Sequence, residues 1–146
     1  MEDTIKFQCT VESTDPSKQL SLAILLDDQE IYNNQWVKDS EIVECNLAVV
    51  DDKEYTLSLV MSGKTNEHTQ LDSNGNIVSD ALLNIKNVTM DDIELKYLFN
   101  EQSTYTHNYN GNGNTVVEPF NNSMGCNGTV TMKFTTPFYL WLLEKM

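Results

Sequence analysis

The chemistry-bearing side chains of this chain are acids, amides and aromatic rings, and their spacing suggests two kinds of binding. Asp72-Ser73-Asn74-Gly75-Asn76-Ile77 sets side-chain oxygens at alternate positions ahead of a turn-forming glycine. A hard cation needs oxygens converging from a tightly turned backbone, so calcium is the candidate cofactor, with Asp72 and Asn74 as ligands and the set completed by Asp80 or by distant acids. Position twelve of this loop is Leu83, where an EF-hand has a bidentate glutamate, which excludes an EF-hand and leaves a glycine hairpin turn with Asn caps as the other reading. Trp36, Tyr97, Tyr105 and Tyr109 lie among Asn and Asp residues. Sugar rings stack their CH groups on aromatic faces while their hydroxyls seek amides and acids, so these four are candidate carbohydrate-binding residues. The same rings suit an assembly interface, and Trp36 alternatively plugs the edge of a core.

Catalysis finds less support. His68 and His107 are the two imidazoles, each in a polar stretch, and neither belongs to an HExxH or GxSxG pattern. Cys9, Cys45 and Cys126 form no CxxC pair, and Cys9 and Cys45 fall in strand-like segments where a thiol packs as a small apolar group. The expectation is a binding or assembly protein that is not an enzyme.

The elements that position these residues read as strands. Thr4–Val11 alternates apolar Ile5, Phe7, Cys9 and Val11 with polar neighbours. Gln19–Leu26 turns at Asp27-Asp28-Gln29 into Glu30–Tyr32, and Glu41–Val49 turns at Asp51-Asp52-Lys53 into Glu54–Met61. Met61–Ala81 is a long polar loop. Leu82–Leu95 reads as a strand, an Asp91-Asp92 corner and a second short strand, with Leu83, Ile85 and Val88 on one face or a bulged version of it. Tyr97-Leu98-Phe99 extends that sheet or makes a helical turn. A second excursion, 100–128, has a hairpin tip at Asn110–Asn114 and a return arm anchored by Val116, Val117 and Phe120; Thr129–Thr135 is a further strand. The fold class is all-β: one antiparallel β-sandwich over residues 1–146 with two long loops.

The apolar tail 137–146 either closes the core as an edge strand or helical turn, or serves as a peg whose Phe138, Leu140 and Trp141 dock on a partner subunit. Twenty-two acidic residues face nine lysines and no arginine, a net charge of −13 that repels nucleic acid. No apolar run reaches the about 20 residues that span a bilayer, so no membrane partner is expected. The N-terminal residues carry neither the basic nor the apolar region of a signal peptide, which points to synthesis in a cytosol.

Two resemblances add to this reading. The order of Leu22–Tyr32, Glu54–Met61, and Asp80–Ile85 through Asp91–Leu95 resembles the small calcium-dependent xylan-binding modules, which implies a jelly-roll sandwich of carbohydrate-binding-module type. In that resemblance Asp80 stands where the family has an acidic residue at its calcium-bearing loop, although Thr65–Val78 replaces the family's compact Gly-rich loop. Tyr105–Gly111, Met124–Val130 and Pro137–Met146 resemble small proteins of tailed phages, particularly cyanobacterial and marine myoviruses. That likeness implies a virion component made in the host cytoplasm, with other virion proteins as partners in a homo- or hetero-oligomeric assembly. The leading expectation is therefore a non-enzymatic virion structural protein, as capsid decoration, tail or fibre component, acting in assembly or attachment. The alternative is a calcium-dependent module that recognises cell-surface polysaccharide glycans.

Overall fold

The computed structural model describes residues 2–65, 69–111 and 113–146. Period-two patterning builds nearly all of it. In β4 (Glu41–Val50), Val43, Cys45, Leu47 and Val49 point inward while the residues between them face solvent. In β5 (Glu54–Ser62), Tyr55, Leu57, Leu59 and Met61 do the same. β1 (Glu2–Ser13), β2 (Ser21–Leu26) and β13 (Gly128–Thr135) repeat the pattern and meet these side chains in one core.

Two antiparallel sheets face each other across that core. One runs in the order β12 (Ser123–Met124), β8 (Leu83–Met90), β1, β4, with β9 (Ile93–Glu94) also paired to β8. The other runs β11 (Val116–Pro119), β10 (Ser103–His107), β13, β5, β2, β3 (Gln29–Asn34). The chain passes back and forth between the sheets, and both contribute to the one core. The all-β antiparallel sandwich expected from the sequence is the observed architecture. β4 ends its sheet, with Ile42, Glu44 and Val50 on its outward face.

Three details refine the sequence reading. The long loop after Met61 holds a small hairpin, β6 (Thr69–Leu71) with β7 (Ile77–Asp80). The segment at Tyr97 is a helix, α1 (Tyr97–Gln102), whose Phe99 is buried. The tail is a helix too, α2 (Phe138–Lys145), which buries Phe138, Trp141 and Leu142 and exposes Leu140. Burial at i, i+3 and i+4 is the spacing of one helical face, and it assigns two of the three expected docking residues to the protein's own core.

The β8–β9 corner is a two-residue hairpin loop in which Asp91 and Asp92 both take positive φ, as a type I′ turn requires. It is tied to β1: the backbone N–H of Lys6 donates to Asp91 Oδ1 at 2.8 Å, and Lys6 Nζ lies 2.7 Å from Asp92 Oδ1.

Candidate functional site

Strand register decides which candidate residues meet. β2 starts where β5 ends (Ser21 opposite Ser62), β13 starts there as well (Gly128 opposite Met61), and β10 ends opposite Gly128. The end of β1 (Ser13) lies beside the start of β8 (Leu83). The loops carrying Trp36, Tyr109, Asp72, Asn74 and Asp80 all leave the sandwich at this end, while Tyr97 lies apart on its flank.

The expected calcium ligands do not converge. Asp72 sits at the tip of the β6–β7 hairpin and Asp80 at its base, opposite Thr69. Asp72 Oδ1 accepts the backbone N–H groups of Asn74 and Asn76, both at 2.9 Å, and these donors hold its carboxyl below the usual range. Asn74 is exposed. The Asp80 carboxylate binds Lys64 Nζ at 2.6 Å instead. Among the described residues, no three His, Cys, Asp or Glu side chains come together as a metal set.

The aromatic candidates separate in the same way. Tyr105 is buried, with its ring against His107 and Phe120 and its hydroxyl bonded to both the carbonyl and the N–H of Cys126; burial pushes it up to about 12. It latches a loop to the core and presents no face to a sugar. His107 is buried beside it, with Nε2 2.9 Å from Glu118 Oε1 and Tyr109 edge-on to its ring. Tyr109 is about half exposed. Trp36 is 39% exposed, donates through Nε1 to the Pro16 carbonyl at 2.9 Å, and has Lys38 Nζ 3.8 Å above its ring. His68 lies outside the described residues.

Tyr97 remains as an open platform, 79% exposed, and it borders a cleft of about 330 Å³. The cleft follows from a defect in β8. β12 pairs with Asn84 and Leu83 of that strand and β9 with Thr89 and Met90, so among the described residues no strand covers the outer edge between them. Within this gap Asn87 and Val88 together oppose the single residue Cys9 of β1, a β-bulge with Asn87 at φ 54°. The bulge turns Lys86 and Asn87 outward in succession. α1 lines the facing wall with Tyr97 and Asn100, and Glu94 and Asn122 complete the rim. Asn100 Nδ2 donates to Asn122 Oδ1 at 2.8 Å, and Lys86 Nζ is 2.6 Å from Glu12 Oε1. The result is one broad aromatic face beside three amides and a carboxylate, groups that recognise hydroxyls by paired hydrogen bonds. Of these, sequence reading singled out Tyr97 alone. The bulged reading of Leu83, Ile85 and Val88 was the available pointer to the others.

No protein-family model and no curated protein matches the chain. Two solved structures share its fold. vCBM60 in complex with galactobiose superposes with a TM-score of 0.51 at 9% identity, covering 87% of this chain and 96% of that one. The selenomethionine form of vCBM60 gives 0.55 at 7% identity over 88% and 89%, and is described within an evolutionary link, by circular permutation, between two families of calcium-dependent carbohydrate-binding modules. At such identities the likeness is one of fold: this chain is a β-sandwich of the kind seen in those modules.

Proposed function

We propose that this chain is a non-catalytic carbohydrate-binding module and that the Tyr97 cleft receives the glycan. The observation that carries the reading is the pairing of an exposed Tyr97 ring with Asn87, Asn100, Asn122 and Glu94 around one cleft. The sandwich likeness to vCBM60 structures, one of them bound to galactobiose, supports it. The sugar's apolar face stacks on the ring, and its hydroxyls exchange donors and acceptors with the amides and the carboxylate. Calorimetry against a panel of soluble neutral polysaccharides tests this. A binder in the panel should lose about tenfold in affinity with Tyr97→Ala, the equivalent of one stacking contact, while the circular dichroism spectrum stays unchanged. No heat from any polysaccharide, or equal affinity for the variant, overturns it.

A second reading places the module in a virion, attached to other virion proteins. In that reading the outer face of α2 would be the attachment surface, since Tyr139, Leu140 and Leu143 are exposed there. Leu140→Asp with Leu143→Asp should then abolish co-purification with assembled particles while the protein stays folded. Undiminished co-purification sinks that attachment face.

A further inference from the structure

The loop end is organised around a lysine. Lys64 follows a turn at Gly63, which takes φ +91°, and its side chain is 2% exposed. Its Nζ lies 2.6 Å from Asp80 Oδ1 and 2.5 Å from the Gly125 carbonyl oxygen. Its backbone is gripped on both sides by one amide: Lys64 N–H donates to Asn127 Oδ1 at 2.8 Å, and Asn127 Nδ2 donates to the Lys64 carbonyl at 2.9 Å. The Asp80 carbonyl in turn accepts Thr14 Oγ1, which also accepts the N–H of Leu82. One ammonium thereby joins the segment after β5, the end of β7 and the loop before β13, and through Thr14 the β1–β2 turn.

A buried ammonium without partners is strongly unfavourable, so its persistence here depends on these oxygens. A carboxylate and a backbone carbonyl drawn from separate loops onto one positive centre are also the donor types that hold calcium. One structural neighbour is described within a link between families of calcium-dependent modules, yet among the described residues the two candidate acids of this loop do not fit that ion: Asp72 is engaged by its own turn, and Asp80 already faces a cation. We propose that Lys64 is the built-in cation of the loop end, and that the chain organises its loops without calcium. This assignment stands independently of whether the Tyr97 cleft binds glycan.

Thermal unfolding of the full chain tests it with no glycan present. For the unaltered protein, millimolar calcium and excess chelator should give melting temperatures within about 1 °C of each other, because an ion that does not bind the native state cannot stabilise it. Lys64→Met, which keeps the length and apolar stem, should melt about 10 °C lower, the shift that a broken buried pair produces in a domain of this size. Lys64→Met combined with Asp80→Asn should recover at least half of that loss, because the neutral amide no longer faces the space left by the ammonium with a charge. A rise of several degrees with calcium in the unaltered protein overturns the proposal. So does a double variant no more stable than the single one, which assigns the loss to packing.

Discussion

Phe138 and Trp141 stack on each other within α2, ring centroids 5.8 Å apart and planes 28° apart, and Phe134 of β13 meets both rings edge-on. The aromatic cluster makes the C-terminal helix a lid on the core. Trp141→Ala should therefore destabilise the protein by about 3–5 kcal/mol, whereas Leu140→Ala, on the exposed face, should stay within about 0.5 kcal/mol of the parent. Urea unfolding midpoints compare the two. Equal effects would contradict the observed orientation of the helix.

Thr136 is a second joint at this end of the sandwich. Its hydroxyl donates to the Val50 carbonyl at 2.5 Å and accepts the Lys53 N–H at 3.1 Å, fastening the β4–β5 turn to the end of β13. Valine has the same shape and neither bonding capacity. Thr136→Val should lower stability by about 1–3 kcal/mol, the effect of unpaired buried backbone groups, and amide hydrogen exchange at Lys53 should accelerate selectively.

The thiols should be silent in the native state. Burial pushes Cys9 up to about 12, with Cys45 nearby adding to it, and pushes Cys45 up to about 11, with Glu44 adding to it. Only the thiolate attacks an alkylating reagent. At mildly alkaline pH, iodoacetamide should leave Cys9 and Cys45 unmodified in the folded protein and modify the half-buried Cys126 first. Denaturant should release all three, as intact mass will show.

Tyr105 gives stability an alkaline limit. Its folded pKa of about 12 lies above the ordinary tyrosine value of about 10. The folded state thus keeps a proton that the unfolded state gives up. Its contribution is fully present below about pH 10 and is lost as pH rises towards 12. Tyr105→Phe should be less stable at neutral pH, because Cys126 loses both its bonds, yet should decline less steeply above pH 10. Parallel stability profiles for the two proteins would contradict the linkage.

Much of the fold was legible because a half-buried strand writes its orientation in every second residue, as β4 and β5 do. The bulge in β8 was legible as well, since Ile85 and Val88 reach the same face only if one residue is accommodated out of step. The tail was ambiguous for the opposite reason: an unbroken apolar run has no period, and only packing against Phe134 selects the face that carries Phe138, Trp141 and Leu142. Asp72 and Asp80 are near in sequence, but an antiparallel hairpin parts its tip from its base. The tyrosines carry one chemistry into two environments: Tyr105 shares an alternating strand with inward Ser103 and His107, whereas Tyr97 opens a helix at the surface. Nothing local marks Lys64. Its partners come from Asp80 and Gly125, and a charged residue in a polar loop looks solvated until the loops close over it.

β4 turns the backbone donors and acceptors of every second residue outward at the border of its sheet, with Ile42 72% exposed beside it. Such a row is a template for a second copy of itself, and what opposes that pairing is colloidal: at a net charge of −13, two molecules repel before their borders can align. The barrier is titratable. As the solution approaches the sequence pI of 4.3 the repulsion vanishes while the border persists, so self-association in acid is expected to begin at this strand.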